Sequence, residues 1–229
     1  MRPPFRVKYR AGFAILAAAV LQAGPARAQA TAQEQAPAAT QLPAPKMEGG
    51  KPLMQALTER HSSREFSSQT IQPQVLSNLL WAAWGINRPD GRRTAPSASN
   101  KQEIEIYVTL PEGAYVWDAK ANRLNPVVAG DIRAATGSQP FVGTAALNLV
   151  YVADMAKAGR PPTDPQQMLN VGADAGFIAE NVYLFCASEG LSTVVRAMIP
   201  REQLAKAMKL RDNQVIVLAQ TVGYPVKER

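Results

Sequence analysis

The run Ala145-Ala146-Leu147-Asn148-Leu149-Val150-Tyr151-Val152 is apolar but for Asn148 and the hydroxyl of Tyr151. It is too short for a membrane span and lacks the alternation of a strand with one wet face. It reads as a central strand buried on both faces, so the chain must supply apolar cover on two sides of a sheet. The best candidate for cover is a helix over Pro165 to Glu189. Asp164 suits its N-cap, Pro165 its first turn, and Gly190 a left-handed end. Gly172, Ala173, Gly176 and Ala179 lie inside it. Each glycine there lowers helix propensity by about 1 kcal/mol, which makes sense where a second backbone approaches closely. A central helix, buried or at a subunit interface, is expected.

The remaining pattern adds smaller elements. Pro52 to Glu59 reads as a short helix, and Gln74 to Trp84 as a second with Val75, Leu76, Leu79, Leu80 and Ala83 on one face. Pro73 and Gly85 suit its two ends. Asn87 to Ser99 is turn-rich and carries Arg88, Arg92 and Arg93. Glu103 to Val108 alternates, as a strand with one buried face does, and Ala114 to Trp117 can pair back across Pro111-Glu112-Gly113. A helix over Arg201 to Met208 and a strand over Val215 to Thr221 complete the set. Helices and strands mix without βαβ order, so the expected class is α+β.

The chain divides into three regions. Residues 1–28 have a basic start, the apolar run AGFAILAAAVL, and Ala26-Arg27-Ala28 before Gln29. That is the pattern of a cleaved secretory signal; an uncleaved anchor or mitochondrial presequence is the alternative. No twin-arginine pair precedes the run, which favours general secretion. The mature protein is then expected to be periplasmic or secreted, with no stable membrane insertion. Residues 29–50 are rich in Ala, Gln, Pro and Thr and read as a disordered linker. Residues 51–229 form one domain. The whole chain carries 25 basic and 18 acidic residues, but five of the basic ones lie in residues 1–28. The remaining 20 against 18 leave about +2, which gives no case for nucleic-acid binding. Cys186 stands alone, so no intrachain disulfide is possible, and its apolar neighbours predict a buried thiol.

Much chemistry is absent. A single histidine, with no H-E-x-x-H, C-x-x-C or G-x-S-x-G, argues against common zinc sites and a serine hydrolase. There is no P-loop and no G-x-G-x-x-G. Four segments still carry donors. Arg60-His61-Ser62-Ser63-Arg64 follows the first short helix; it suits a phosphate, and equally a basic helix end facing water. Pro96-Ser97-Ala98-Ser99-Asn100 reads as a turn before a strand. Leu191 to Ala197 follows the long helix. Lys227 and Arg229 close the chain after Val222-Gly223-Tyr224-Pro225.

In this order the segments resemble the nitroreductase family of flavin enzymes over nearly all of residues 51–229. RHSSREF is similar to the family's R-x-S-x-[RK]-x-F opening, and PSASN to its P-S-x-x-N motif. LLWAAWGIN, GRRTAPSASNKQEIEIYV, Gln139-Pro140-Phe141 and V-G-Y-P resemble the SagB-type branch, which includes azoline dehydrogenases of peptide modification. The resemblance implies a three-layer α+β fold with a central mixed sheet flanked by helices. It also implies FMN and a homodimer with FMN sites at the interface. By position, Arg60, His61, Ser62 and Arg64 would contact the FMN phosphate, ribityl chain or pyrimidine edge. Pro96, Ser97 and Asn100 form the second motif, with Asn100 at the flavin's polar edge. The loop Val195-Arg196-Ala197 would lie along the isoalloxazine, and Lys227 and Arg229 would complete the phosphate site. The chain departs from the family where Ala197 and Met198 replace a common acidic residue and glycine. The implied activity is hydride or electron transfer to a small-molecule organic acceptor, with NAD(P)H as a candidate donor. The flavin carries the chemistry, so no catalytic side chain and no metal is expected. Azoline oxidation in a peptide and a non-catalytic flavin-binding dimer are the alternatives.

Overall fold

The computed structural model describes residues 38–226. The expected signal (1–28), the first part of the expected linker, and Lys227 and Arg229 lie outside the described residues. The predicted central strand is β5 (Leu147–Asp154), and every residue in it is buried. Leu147, Leu149, Tyr151 and Ala153 enter one core, while Val150 and Val152 enter a second on the opposite face. The period of two is that of a pleated strand covered on both sides.

Around β5 runs a seven-stranded sheet of order β1-β4-β3-β2-β5-β7-β6. Its other strands are β1 (Thr40–Gln41), β2 (Ile104–Leu110), β3 (Gly113–Asp118), β4 (Arg123–Ala129), β6 (Ser192–Arg196) and β7 (Gln214–Gly223). The α+β class holds, but every described pairing is antiparallel, where a mixed sheet was expected. The connections account for this. β2 and β3 close through the two residues Pro111-Glu112, a link only antiparallel strands can use.

Three layers result. On one side lie α1 (Leu53–Glu59), α2 (Pro73–Trp84) and α4 (Pro165–Glu189). Leu76, Leu79, Leu80 and Ala83 of α2 and Val171, Ala175, Ile178 and Val182 of α4 are buried there. A single turn, α3 (Met155–Ala158), follows β5. On the other side the short α5 (Arg201–Ala207) lays Leu204, with Met208 beyond it, on Val150, Val152, Ile216 and Ala219. This second layer also covers Tyr107, so the face of β2 read as wet is largely closed. No helix among the described residues is long and apolar enough to cross a membrane.

The long helix has its predicted ends. The Asp164 carboxylate accepts the N–H groups of Gln166 and Gln167 at 2.9 and 3.2 Å, and Gly190 is left-handed at φ +69°. Gly85 ends α2 for a different reason than expected. It is extended, and a Cβ there would run into the Trp81 ring. Two strands had no clear signal. Pro126 interrupts β4, yet β4 is flanked by β1 only at residues 123–124, so the missing N–H of Pro126 costs no ladder bond on that side. β6 is five residues long at the sheet edge.

The expected linker, 29–50, needs correction within its described part. Thr40 and Gln41 pair with Leu124 and Arg123, and Leu42 is buried. Helix α2 holds the next residues: Ser77 Oγ donates to the Pro43 carbonyl, Gln74 Nε2 to that of Ala44, and Lys46 N–H to Asn78 Oδ1. An open sheet edge and polar side chains on α2 satisfy backbone groups that composition alone left to water.

Candidate functional site

Helix α1 stops at Arg60, whose ψ of 120° turns the chain extended. From there residues 60–67 follow the outer edge of the sheet. Ser63 N–H donates to the Thr193 carbonyl on β6 at 3.0 Å, and Ser67 N–H to the Tyr224 carbonyl at 2.9 Å. Two of the four donor segments and the Tyr224 stem of another therefore meet here. Tyr183 of α4 organises them. Its hydroxyl accepts the Val195 N–H at 3.0 Å and shares a hydrogen bond with Ser62 Oγ at 2.7 Å. The Arg60 guanidinium lies over its ring, 5.3 Å from the centroid. In sequence, Tyr183 read only as an apolar neighbour of Cys186; nothing local signalled its hydroxyl.

Arg60 stacks on Tyr183 instead of turning back to the last carbonyls of α1. Among the described residues neither Arg60 nor Arg64 pairs with a carboxylate. Arg64 is exposed, and His61 holds Nδ1 2.8 Å from the Glu59 carbonyl. Uncommitted guanidiniums beside serine hydroxyls at a sheet edge suit a phosphate.

The PSASN loop sits elsewhere. Ser99, Asn100 and Gln102 all have φ near +50°, unusual for residues with a side chain. Four bonds hold the turn: Asn100 N–H to the Ser97 carbonyl, Lys101 N–H to the Ala98 carbonyl, Gln102 N–H to Ser97 Oγ, and Ala98 N–H to the Asp174 carboxylate at 2.9 Å. Asn100 Oδ1 also accepts from Gln102 Nε2, and Pro96 is exposed. Asp174 precedes Tyr183 by nine residues, about 14 Å along the helix. One chain therefore carries its two donor sets at separate stations on α4.

The expected loop 195–197 is also different. Val195 and Arg196 belong to β6, and only Ala197 lies beyond it. Arg196 is 5% exposed. Its guanidinium donates to the Thr136 carbonyl at 2.8 Å, Asn148 Oδ1 at 3.1 Å and Thr221 Oγ1 at 3.1 Å. Gly137 is required beside it, because a Cβ would strike the guanidinium. Burial pulls its pKa down to about 10, so it stays charged at neutral pH. The Arg196 side chain is an internal tie and is unavailable to a ligand. Ala197 and Met198, by contrast, are exposed.

Residues 57–224 match the Nitroreductase family. The chain belongs to the nitroreductase family. A nitroreductase-like protein of Ralstonia eutropha has a crystal structure that is 43% identical and superposes with a TM-score of 0.78, over 83% of this chain and 90% of that one. A nitroreductase-like protein of Methanocaldococcus jannaschii is 27% identical over 72% of this chain and 88% of its own length. The fold also resembles a chain of the Escherichia coli microcin synthetase complex McbBCD, at 19% identity and a TM-score of 0.62, over 76% of this chain and 73% of that one. Membership makes this protein an oxidoreductase by family. It also accounts for the α+β fold around the donor edge.

Arg196→Met should test the internal tie. It removes four charged hydrogen bonds and strands buried acceptors, so the unfolding free energy should drop by about 3 kcal/mol in urea denaturation. A change below about 0.5 kcal/mol would show the guanidinium to be dispensable.

Proposed function

We propose that this nitroreductase-family protein is an exported, FMN-dependent oxidoreductase that delivers electrons to a small organic acceptor such as a nitroaromatic or quinone. The observation that carries the reading is the Arg60-Ser62-Arg64 edge, docked on β6 and Tyr224, whose guanidiniums have no carboxylate partner among the described residues. This donor set fits the phosphate end of FMN. When bound, FMN would supply hydride-transfer chemistry. Arg60 and Arg64 would neutralise its phosphate, and Ser62, oriented by Tyr183, would donate a short hydrogen bond. Exposed Ala197, past the end of β6, would border the ring system. The mature protein should purify yellow, and its dithionite-reduced form should reoxidise faster with nitrofurazone. Arg60→Ala and Arg64→Ala should each weaken FMN retention tenfold or more, as loss of a charged hydrogen bond of about 1.5–3 kcal/mol requires. A colourless protein that FMN cannot reconstitute would end this reading. A yellow protein inert toward every acceptor would favour the non-catalytic flavin-binding dimer.

The active unit in this reading is a homodimer. Leu169 and Phe177 of α4 are 65% and 48% exposed, and a Cβ on Gly172 or Gly176 would meet nothing within 4 Å. Leu53 and Met54 of α1 are exposed as well. This apolar, small-residue face of α4 suits a second copy. Pairing there would let the 96–100 loop of one copy approach the 60–64 edge of the other. Phe177→Glu should convert the dimer to a monomer in analytical ultracentrifugation and release FMN; an unchanged dimer would exclude this face.

Two further parts of the reading concern location and substrate. Residues 1–28 are taken as a signal removed on export to the periplasm or medium, so N-terminal sequencing of exported protein should begin at Gln29. Recovery of a full-length N-terminus would contradict this. Azoline oxidation in a peptide is the second reading, favoured by the SagB-like LLWAAWGIN and PSASN segments. A purified enzyme that oxidises a model azoline peptide would select it. NAD(P)H oxidation in the same assay would identify the donor.

A further inference from the structure

The entrance to β2 holds an acid that no protein donor satisfies. Glu103 is 1% exposed, and neither of its carboxyl oxygens has a hydrogen-bond donor among the described residues. Its carboxyl lies within hydrogen-bonding reach of Asp174 on α4, which is itself 2% exposed. Asp174 in turn accepts Ala98 N–H from the PSASN loop. Two carboxylates are both acceptors. Out of water they bind one another only through a proton.

We propose that Glu103 and Asp174 form a proton-sharing carboxyl pair that latches the 96–102 loop in its left-handed turn. The contact path is short: Glu103 to Asp174 to Ala98. With the proton on Glu103, its hydroxyl donates to Asp174. That leaves Asp174 its negative charge and a second oxygen for the Ala98 N–H. Without the proton, two buried negative groups face each other, and the tie that holds a strained loop is set against their repulsion. The latch itself rests on the structure alone; its effect on cofactor binding rests on the FMN reading above.

The charged surroundings are few. Lys101, on the loop, attracts Glu103 as an anion. Arg160 lies across the adjoining cavity of about 310 Å³ but pairs with Asp164. Burial, with Asp174 adding to it, pushes Glu103 up to about 7 against the attraction of Lys101. Because folding raises this pKa, unfolding between about pH 4.5 and about pH 7 releases a proton. The pair therefore makes stability fall as pH rises through that window and leaves it level above.

The test compares the FMN-free protein with its Glu103→Gln variant, in which an amide N–H replaces the shared proton at every pH. Thermal unfolding from about pH 5 to about pH 8.5 should show the wild-type Tm falling relative to the variant by several degrees. FMN titrations over the same range should show wild-type affinity weakening about tenfold while the variant stays flat. Parallel Tm curves would overturn the latch. Diverging Tm curves with flat FMN affinity would keep the latch and remove its link to the cofactor. Diverging Tm curves in a protein that binds no FMN at any pH would keep the latch and sink the flavin reading. Should Glu103→Gln fail to fold, infrared titration of the wild type decides. A buried protonated-carboxyl band that vanishes near pH 7 supports the pair, and absence of that band at pH 5 overturns it.

Discussion

Burial of β5 on both faces governs the rest of the architecture. A strand with every side chain covered needs paired backbones along both edges and an apolar layer above and below. β2 and β7 provide the pairing, α2 and α4 one layer, and α5 the other. Each large aliphatic side chain buried this way contributes about 1.5–3 kcal/mol, and β5 brings Leu147, Leu149, Val150 and Val152 together. The polar groups of β5 must then be satisfied inside. Tyr151 donates to Gln220 Oε1 at 2.6 Å. Asn148 donates to the Val142 carbonyl and accepts from Thr221 and Arg196. The buried arginine on β6 is thus tied directly to the central strand.

Helix α4 does three jobs with three parts of its surface. Its inner stripe closes the core. Tyr183 and Asp174, about 14 Å apart along the axis, anchor the arginine-serine edge and the PSASN loop respectively. Its outer stripe of Leu169, Gly172, Gly176 and Phe177 stays uncovered among the described residues. The glycines weaken the helix as an isolated element. They make sense once the outer stripe is a contact surface and not part of the core.

Legibility followed the range of the forces involved. The ends of α4 were readable because Asp164, Pro165 and Gly190 act on backbone groups within a few residues. The hairpin across Pro111-Glu112 was readable for the same reason. β4 and β6 were not, because a strand at or near a sheet edge is stabilised by partners distant in sequence and Pro126 argued against one of them. Residues 40–46 looked like linker because their partners, β4 and α2, are long-range. Within the candidate site, Arg60, Ser62 and Arg64 stood out by type and spacing. Tyr183 did not, since a tyrosine in an apolar helix reads the same with or without a role for its hydroxyl. Arg196 was placed in a flavin-facing loop by position, and sequence did not show that it belongs to β6 with its guanidinium turned inward.

Local sequence was enough for the class of fold, the doubly buried strand, the capped long helix and the residue types suited to a phosphate. These are properties of local periodicity, caps and side-chain chemistry. Which of those cations turn inward and which face the surface came from long-range packing. It commits Arg196 to the interior, leaves Arg60 and Arg64 without carboxylate partners among the described residues, and sets Glu103 against Asp174. Such outcomes depend on which groups separated by tens of residues are pressed together away from water. That is settled by packing around β5 and is written in no single segment.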